Sequence, residues 1–388
     1  MRTVDPVSAD GVAAVLADAS RARERVVIRG AGTKSALALS SDAESDILLS
    51  TARLDRVIAH RHGDLTATIE AGAVLGDVNR ELERHGQWLP LDPAWSDRAT
   101  IGGIVATNDS GPRRHRFGAP RDLIIGVEVA RADGVRASAG GIVVKNVAGY
   151  DLSRLITGSF GCLGVILTAT FKLYPRAAQS RTVIVDVPSG AQMRAIVAGL
   201  DAGQLTPTAV EVQAPPLRLL IRFESIEASV ERQSDQAIRI ASAHGGRARV
   251  VRDGEEDREW REHAARPWSG SGSVAKVTLL PDDLAPTLDA IQAAAEGCAW
   301  EVVGRAGVGV LLLRIDGDTA SQTRVVGTLR ARVQMGRGSV TLLRSSRELA
   351  SAVGVWGPMG GAFRVMKAVK AALDPDGLLN PGRGPGGL

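Results

Sequence analysis

Residues 26–35 read VVIRGAGTKS. Val26, Val27 and Ile28 form the short β-branched run of a buried strand, and the chain then turns through Gly30 and Gly32 into Thr33, Lys34 and Ser35. Glycines in such a turn let backbone N–H groups converge on an anion such as a phosphate. Two standard phosphate loops do not fit. A Walker-type loop needs glycine directly before the lysine, where Thr33 stands. A dinucleotide fingerprint needs a third glycine where Ser35 stands, and a crossover helix that Ser40, Ser41 and Asp42 interrupt. A plain strand-to-loop turn reads the same residues.

Two further clusters lie downstream. Residues 100–111, TIGGIVATNDSG, set Gly102, Gly103 and Gly111 among small polar residues, with Thr107, Asn108 and Ser110 as hydrogen-bonding groups. Residues 145–166, KNVAGYDLSRLITGSFGCLGVI, repeat glycine every third residue at Gly158, Gly161 and Gly164, just ahead of a strand. Singly these read as a surface loop and a helix-to-strand connection. The chain has 44 glycines in 388 residues, about 11% against a usual ~7%, with no collagen period or low-complexity tract to explain them. Three such clusters before residue 167 argue for one extended ligand with a pyrophosphate.

Outward from these clusters, helices are expected at 8–23, capped by Ser8 or Asp10, and at 74–85. Strands are expected at 47–49, 65–70, 123–130 and 165–173, with a short helix at 152–157. Residues 90–122 show neither helical nor strand periodicity, and loops of that length usually bind something. From 182 to 343 the pattern is β-α-β-β-α-β, twice, which is the ferredoxin-like unit repeated in topology and not in sequence. A polar, tryptophan-bearing stretch, 253–272, connects the copies. A last helix, 363–373, leads into a glycine- and proline-rich tail.

Composition excludes several classes. Hydrophobic residues make up 44% and aromatics 3%, so a soluble core of Val, Leu, Ile and Ala is expected. Cys162 and Cys298 are too few for a disulfide scaffold, a four-cysteine zinc site or an iron–sulfur cluster. No apolar run approaches the ~18 residues of a membrane span, and acidic residues interrupt the N-terminus where a signal peptide needs an apolar stretch. The expectation is a cytoplasmic protein without a transmembrane segment. The 41 Arg and 6 Lys are scattered and the net charge is only +4, which is weak evidence for nucleic acid and better evidence for anionic ligands or an anionic partner; no nucleic-acid partner is expected.

The order of motifs resembles the FAD-binding domain of the vanillyl-alcohol-oxidase and p-cresol methylhydroxylase type. It runs R-G-A-G-T-K, E-A-G-A at 70–73, P-L-D-P from Pro90, T-I-G-G, A-T-N, R-F-G-A-P-R-D, K-N-V-A-G-Y-D-L, G-S-F-G-C-L-G-V-I, and ALDPDGLLNPGR at 372–383. Within that superfamily the chain is similar to the FAD-binding accessory subunits of bacterial glycolate oxidases. The resemblance implies an α+β fold: a two-part FAD-binding domain at 1–178, an α+β cap or substrate domain of two ferredoxin-like units at 179–362, and a C-terminal strap at 363–388. It implies that Gly30, Ala31, Gly32, Thr33, Lys34 and Ser35 hold the FAD pyrophosphate through backbone N–H groups. Thr100, Ile101, Gly102 and Gly103 would follow the pyrophosphate and ribityl chain, with Pro90 also at the cofactor. Thr107, Asn108, Ser110 and Gly111 would pass near the isoalloxazine, with Gly118 and Asn146 also at the cofactor. Gly158, Gly161, Gly164, Val165 and Ile166 would wrap the adenine side, and Asn380 would return to the flavin edge.

The resemblance also implies a small 2-hydroxy acid such as glycolate as substrate. It implies a larger FAD-linked oxidase subunit and an iron–sulfur subunit or quinone-linked acceptor as partners, through which the chain would sit at the inner face of the membrane. Lys34 and Ser35 stand where covalent relatives carry a histidine, so non-covalent FAD is expected. Related dehydrogenases carry a metal-binding histidine pair in the cap. Here only His244 and His263 follow residue 115, without ligand spacing, so no metal is expected. His263, in DREWREHAARPW, is the candidate base. Arg116, in the basic run Arg113-Arg114-His115-Arg116 with Arg121 beyond, is a candidate for the substrate carboxylate; FAD phosphate, a partner subunit or plain solvent fit that run as well. Three roles stay open: a relay subunit of a complex, a self-sufficient dehydrogenase, and a non-catalytic flavin-binding subunit.

Overall fold

The computed structural model describes residues 1–35, 45–142, 150–335 and 338–388. They form two compact units, one of Met1–Gly111, Phe117–Arg176 and Pro358–Leu388, the other of Pro112–Arg116 and Ala177–Gly357. Both mix helix and sheet, as an α+β fold requires.

In the first unit the opening helix spans Ala9–Ala22. Ser8 caps it by accepting from the Gly11 N–H at 3.1 Å, and Arg23 ends it at φ +55°. Val12, Leu16 and Ala19, at i, i+4 and i+7, are its buried stripe. They share a core with a three-stranded parallel sheet in which Ile47–Ser50 lies between Arg2–Val4 and Val26–Arg29. Leu379, from the far end of the chain, completes that core and forms a parallel bridge with Val26.

A five-stranded antiparallel sheet follows, ordered Val57–Arg61, Thr66–Glu70, Val165–Lys172, Ile124–Ala130 and Arg136–Gly140. The three inner strands match those read from the sequence. Both edge strands escaped that reading, because VIAHR and RASAG bury little and carry no clean apolar alternation. The expectation that 90–122 lacks regular elements needs correction. Helices occupy Ile101–Thr107, Arg114–Phe117 and Pro120–Leu123. Gly102 and Gly103 dilute the apolar signal of the first, whose Ile101, Ile104 and Val105 are buried at i, i+3 and i+4.

The second unit is one eight-stranded antiparallel sheet, ordered Arg247–Val251, Gln179–Asp186, Arg218–Ser225, Ala209–Ala214, Ala299–Arg305, Val310–Asp316, Ser273–Thr278 and Ser339–Arg344. Each half is a ferredoxin-like unit with strand order 4-1-3-2, and the halves join through their second strands, Glu211 opposite Arg305 and Gln213 opposite Val303. Helices Gly190–Ala202 and Glu227–Ala243 belong to the first half, Leu284–Ala294 and Thr319–Met335 to the second.

The stretch 253–272, read as a connector, carries a helix, Asp253–Ala265. Its buried stripe is Glu256, Trp260 and His263, again i, i+4 and i+7 but mostly polar, so hydropathy does not register it. Glu256 accepts from Ser180, Thr182 and Arg222 at 2.7 to 2.9 Å, and the Trp260 indole donates to Thr182 at 2.8 Å. Polar groups this deep stay only because each is bonded.

The short segment Pro112–Arg116 is seated in this second unit. Arg113 makes a forked pair with Glu224, at 2.8 and 3.2 Å. Burial pushes the Glu224 carboxyl up, but Arg113, and Arg222 nearby, outweigh it and hold the group below the ordinary glutamate value. Such a group stabilises the fold above its unfolded value of about 4.3 and loses that contribution as pH falls through the lower folded value. Glu224→Ala should therefore cost about 3 kcal/mol in denaturant unfolding at neutral pH. Glu224→Gln should flatten the acid limb of the stability profile between pH 4.3 and the onset of acid unfolding.

Candidate cofactor site

An open cleft lies in the first unit, lined by residues from both ends of the chain and from the three glycine clusters. It sits where the parallel strands Val26–Arg29 and Ile47–Ser50 end, so Gly30 and Thr51 begin its rim side by side. The full loop Gly30–Ser35 lines it. Gly32 adopts φ +75°, a conformation that costs glycine nothing. Among the described residues the backbone N–H groups of Gly30, Ala31, Gly32 and Thr33 meet no protein acceptor. A row of open amides beside a cleft is the arrangement that accepts a phosphate chain.

The opposite wall is the helix Ile101–Thr107. Its first turn is fixed by the E-A-G-A stretch: Ile101 N–H donates to Ala73 O at 2.9 Å and Gly102 N–H to Ala71 O at 2.7 Å. Its last turn is fixed by the third glycine cluster, with Gly158 N–H on Val105 O at 3.0 Å and Phe160 N–H on Ala106 O at 2.7 Å. The glycines have different duties. A side chain on Gly102 would meet Ala71 Cβ at 2.8 Å, and one on Gly111 would collide with Asp92 O. One on Gly103 would meet only Thr100 Oγ1, at 3.2 Å, and would otherwise stand in the cleft.

The structure thus brings together, from the residues assigned by resemblance, Gly30 to Ser35, Thr100, Gly102, Gly103, Thr107, Gly161, Gly164, Ile166 and Asn380. Ile101 and Val165 point into the two cores of this unit instead. Pro90, Asn108, Ser110, Gly111, Gly118 and Gly158 lie off the cleft lining. Asn108 ends the helix at φ +46°, Gly158 turns at φ +83°, and Gly118 turns at φ +83° against Asp122. Asn146 lies outside the described residues. Sequence reading missed Ile28, Arg29, Thr51, Ala71, Ala106, Phe160 and Arg383. The signal for Thr51 was its place after a strand parallel to Val26–Arg29; the others adjoin or belong to the quoted motifs.

Two side chains have partners that narrow their roles. Lys34, 9% exposed, pairs with Asp109 and lies 5.6 Å from the Trp95 ring centre, so its charge is already balanced. Asn380 spends its amide on the protein: Oδ1 accepts from Ile28 N–H at 2.8 Å and Nδ2 donates to Phe160 O at 2.7 Å. It shapes the cleft and does not offer that amide to a ligand edge. Cys162 is buried, its thiol donates to Ser159 O at 2.8 Å, and burial pushes its pKa up, which suits an inert packing residue.

The catalytic candidates belong to the second unit. His263 is 2% exposed, with Nε2 2.8 Å from Glu211 Oε2 and Nδ1 2.9 Å from Gln213 Nε2. Both ring nitrogens are occupied, so His263 belongs to the packing beneath its helix. Arg116 is exposed, whereas its neighbour Arg113 is committed to Glu224 and His115 is mostly buried, which lowers its pKa. Among the described residues no group of three or more His, Cys, Asp or Glu is placed to hold a metal ion.

Open amides at the end of parallel strands, with a glycine-lined wall opposite, are features that an FAD-binding domain needs, and two domain matches agree with them. A family described as "FAD binding domain" matches residues 2–140, and "FAD linked oxidases, C-terminal domain" matches 359–383. The chain is an FAD-dependent oxidoreductase whose two ends match domains of FAD-linked oxidases. Among its relatives is the glycolate oxidase subunit GlcD of Bacillus subtilis (strain 168), 26% identical over 98% of this chain and 88% of its own length. Another is the glycolate oxidase subunit GlcE of Escherichia coli (strain K12), 29% identical over 82% of each. The D-2-hydroxyglutarate dehydrogenase of Xanthomonas citri pv. viticola is 27% identical over 88% of this chain and 80% of its own. The solved structure of alkyldihydroxyacetonephosphate synthase superposes with a TM-score of 0.74 at 17% identity, over 98% of this chain and 76% of that one, and shares the fold.

Two glycine substitutions separate these duties. Gly103→Val should give soluble protein with little or no bound FAD, measured as flavin absorbance per protein after gel filtration. Gly111→Val should fail earlier, as insoluble or unfolded chain, because its Cβ meets backbone and not cleft. Full flavin in Gly103→Val would remove the helix Ile101–Thr107 from the cofactor wall.

Proposed function

We propose that this chain is the flavin-carrying subunit of a complex that oxidises a small 2-hydroxy acid of the glycolate kind, holding FAD non-covalently in the Gly30–Ser35 cleft. The observation that carries the reading is the coincidence of that cleft with relatives named as glycolate oxidase subunits over more than four-fifths of the chain. When bound, FAD supplies the two-electron acceptor by which a hydroxy acid becomes a keto acid. The chain's own residues do the rest of what is assigned to it. Amides of Gly30 to Thr33 meet the phosphate charge, Gly103 admits the flat ligand, and the Lys34–Asp109 pair closes one side. Among the described residues no histidine, cysteine or tyrosine lines the cleft, which supports a non-covalent mode. Acid precipitation should release the flavin into the supernatant as FAD.

The relay role is favoured over the self-sufficient one by the state of His263. Hydroxyl deprotonation needs a reachable base, and His263 is enclosed with both nitrogens bonded. A larger FAD-linked oxidase subunit and an iron–sulfur or quinone-linked acceptor would then complete the reaction. No helix among the described residues is long and apolar enough to cross a membrane; contact with the inner face would come through those partners. The test is anaerobic mixing of the FAD-loaded chain with glycolate, D-lactate and D-2-hydroxyglutarate while the flavin band is followed. Loss of the band should be far slower than about a second, the scale of an ordinary turnover. Bleaching within that time by any of the three would make the chain a dehydrogenase in its own right.

A further inference from the structure

Arg383 closes the cleft at the end of the chain, and sequence reading passed over it. It lies three residues after Asn380 and lines the same cleft as the glycine loop. Its guanidinium donates to the carbonyl of Ser35, the last residue of that loop. Among the described residues it has no acidic partner, unlike Lys34, whose ammonium is neutralised by Asp109. Burial alone acts on it, pulling the guanidinium below its ordinary pKa. A half-buried cation with one donor spent on a carbonyl has four N–H donors left. An arginine placed so, without a carboxylate among the described residues, stands ready for an anion.

We infer that Arg383 is a binding residue for the diphosphate of FAD, gripping from the C-terminal strap the charge that the amides of Gly30 to Thr33 meet from the other side. The inference rests on the proposed assignment of this cleft to FAD. Two features single out the diphosphate. The guanidinium is tethered to the loop whose amides are open, and a planar fork matches phosphate oxygens in pairs. Ser35 O acts as the anchor that aims it. The strap is held for the purpose by Lys370, whose ammonium bonds Asp374, Cys162 O at 2.8 Å and Leu379 O at 3.1 Å.

The experiment uses the full-length chain stripped of flavin and titrated with FAD, with ADP as a competitor that carries the diphosphate without the isoalloxazine. Arg383→Met should weaken FAD and ADP alike, by roughly ten- to a hundredfold each, as expected for a lost charge-assisted contact. Arg383→Lys, which keeps the charge and loses the fork, should recover part of the loss and serves if the methionine variant folds poorly. Unchanged dissociation constants for both ligands in both variants would overturn the inference. So would unchanged FAD binding with a weakened affinity for glycolate, which would aim the arginine at a substrate carboxylate. Gly103→Val separates this from failure of the cleft assignment. If that variant loses FAD while Arg383→Met does not, the cleft stands and Arg383 has another task; if neither loses it, the cofactor lies elsewhere.

Discussion

One amide ties together the two sides of the glycine-lined cleft. Asn380 accepts from Ile28 N–H, donates to Phe160 O, and through its backbone N–H bonds Val26 O at 2.9 Å. It thereby fixes the gap between the strand that feeds the glycine loop and the turn that supports the opposite helix. The residues joined are 352 and 220 positions apart in the chain. Asparagine suits the place twice over. Its φ is +43°, a left-handed conformation that asparagine tolerates better than most residues, and its side chain carries a donor and an acceptor at once. Buried hydrogen bonds of this kind contribute roughly 0.5–1.5 kcal/mol each, and leaving one partner unmet costs more. Gly161 completes the fit, since a Cβ there would stand 2.5 Å from the Asn380 amide nitrogen.

The clamp gives the cleft a division of labour. Packing glycines, Gly102 and Gly111 among them, bring backbone segments into contact, while Gly103 leaves room for a ligand. Cations follow the same logic. Lys34 is balanced by Asp109 and serves the architecture; Arg383 meets no carboxylate among the described residues and, in the inference drawn above, serves the ligand. The second unit keeps its charges for itself: Glu256, Arg222, His263, Glu211 and Arg305 are all buried in or beside ion pairs. The bonds made by Glu256, Trp260 and His263 account for a helix, Asp253–Ala265, that buries a stripe of polar groups.

Much of this was legible in the sequence where apolar period or glycine spacing carried it. The glycine loop, the inner strands of the five-stranded sheet and the doubled β-α-β-β-α-β order follow from local pattern, and the loop's residues do line the cleft. What escaped depends on contacts between distant segments. Edge strands Val57–Arg61 and Arg136–Gly140 are specified by pairing with neighbours. The 253–265 helix is specified by hydrogen bonds that hydropathy does not see. His263 looked like a base because its neighbours in sequence are aromatic and acidic; in space it meets Glu211 and Gln213, about fifty residues earlier. Arg383 sat in a quoted motif, yet nothing local marks an arginine as lacking a counter-ion among the described residues.

The most direct test of the clamp is the equilibrium affinity of FAD for Asn380→Leu, a variant that fills the same volume and removes both side-chain hydrogen bonds. The expected result is a folded chain, with unchanged circular dichroism, whose FAD dissociation constant rises at least about tenfold, as two lost bonds near 1 kcal/mol each imply. A dissociation constant equal to that of the unmodified chain would contradict it, and would mean that the strap decorates the cleft without setting its width.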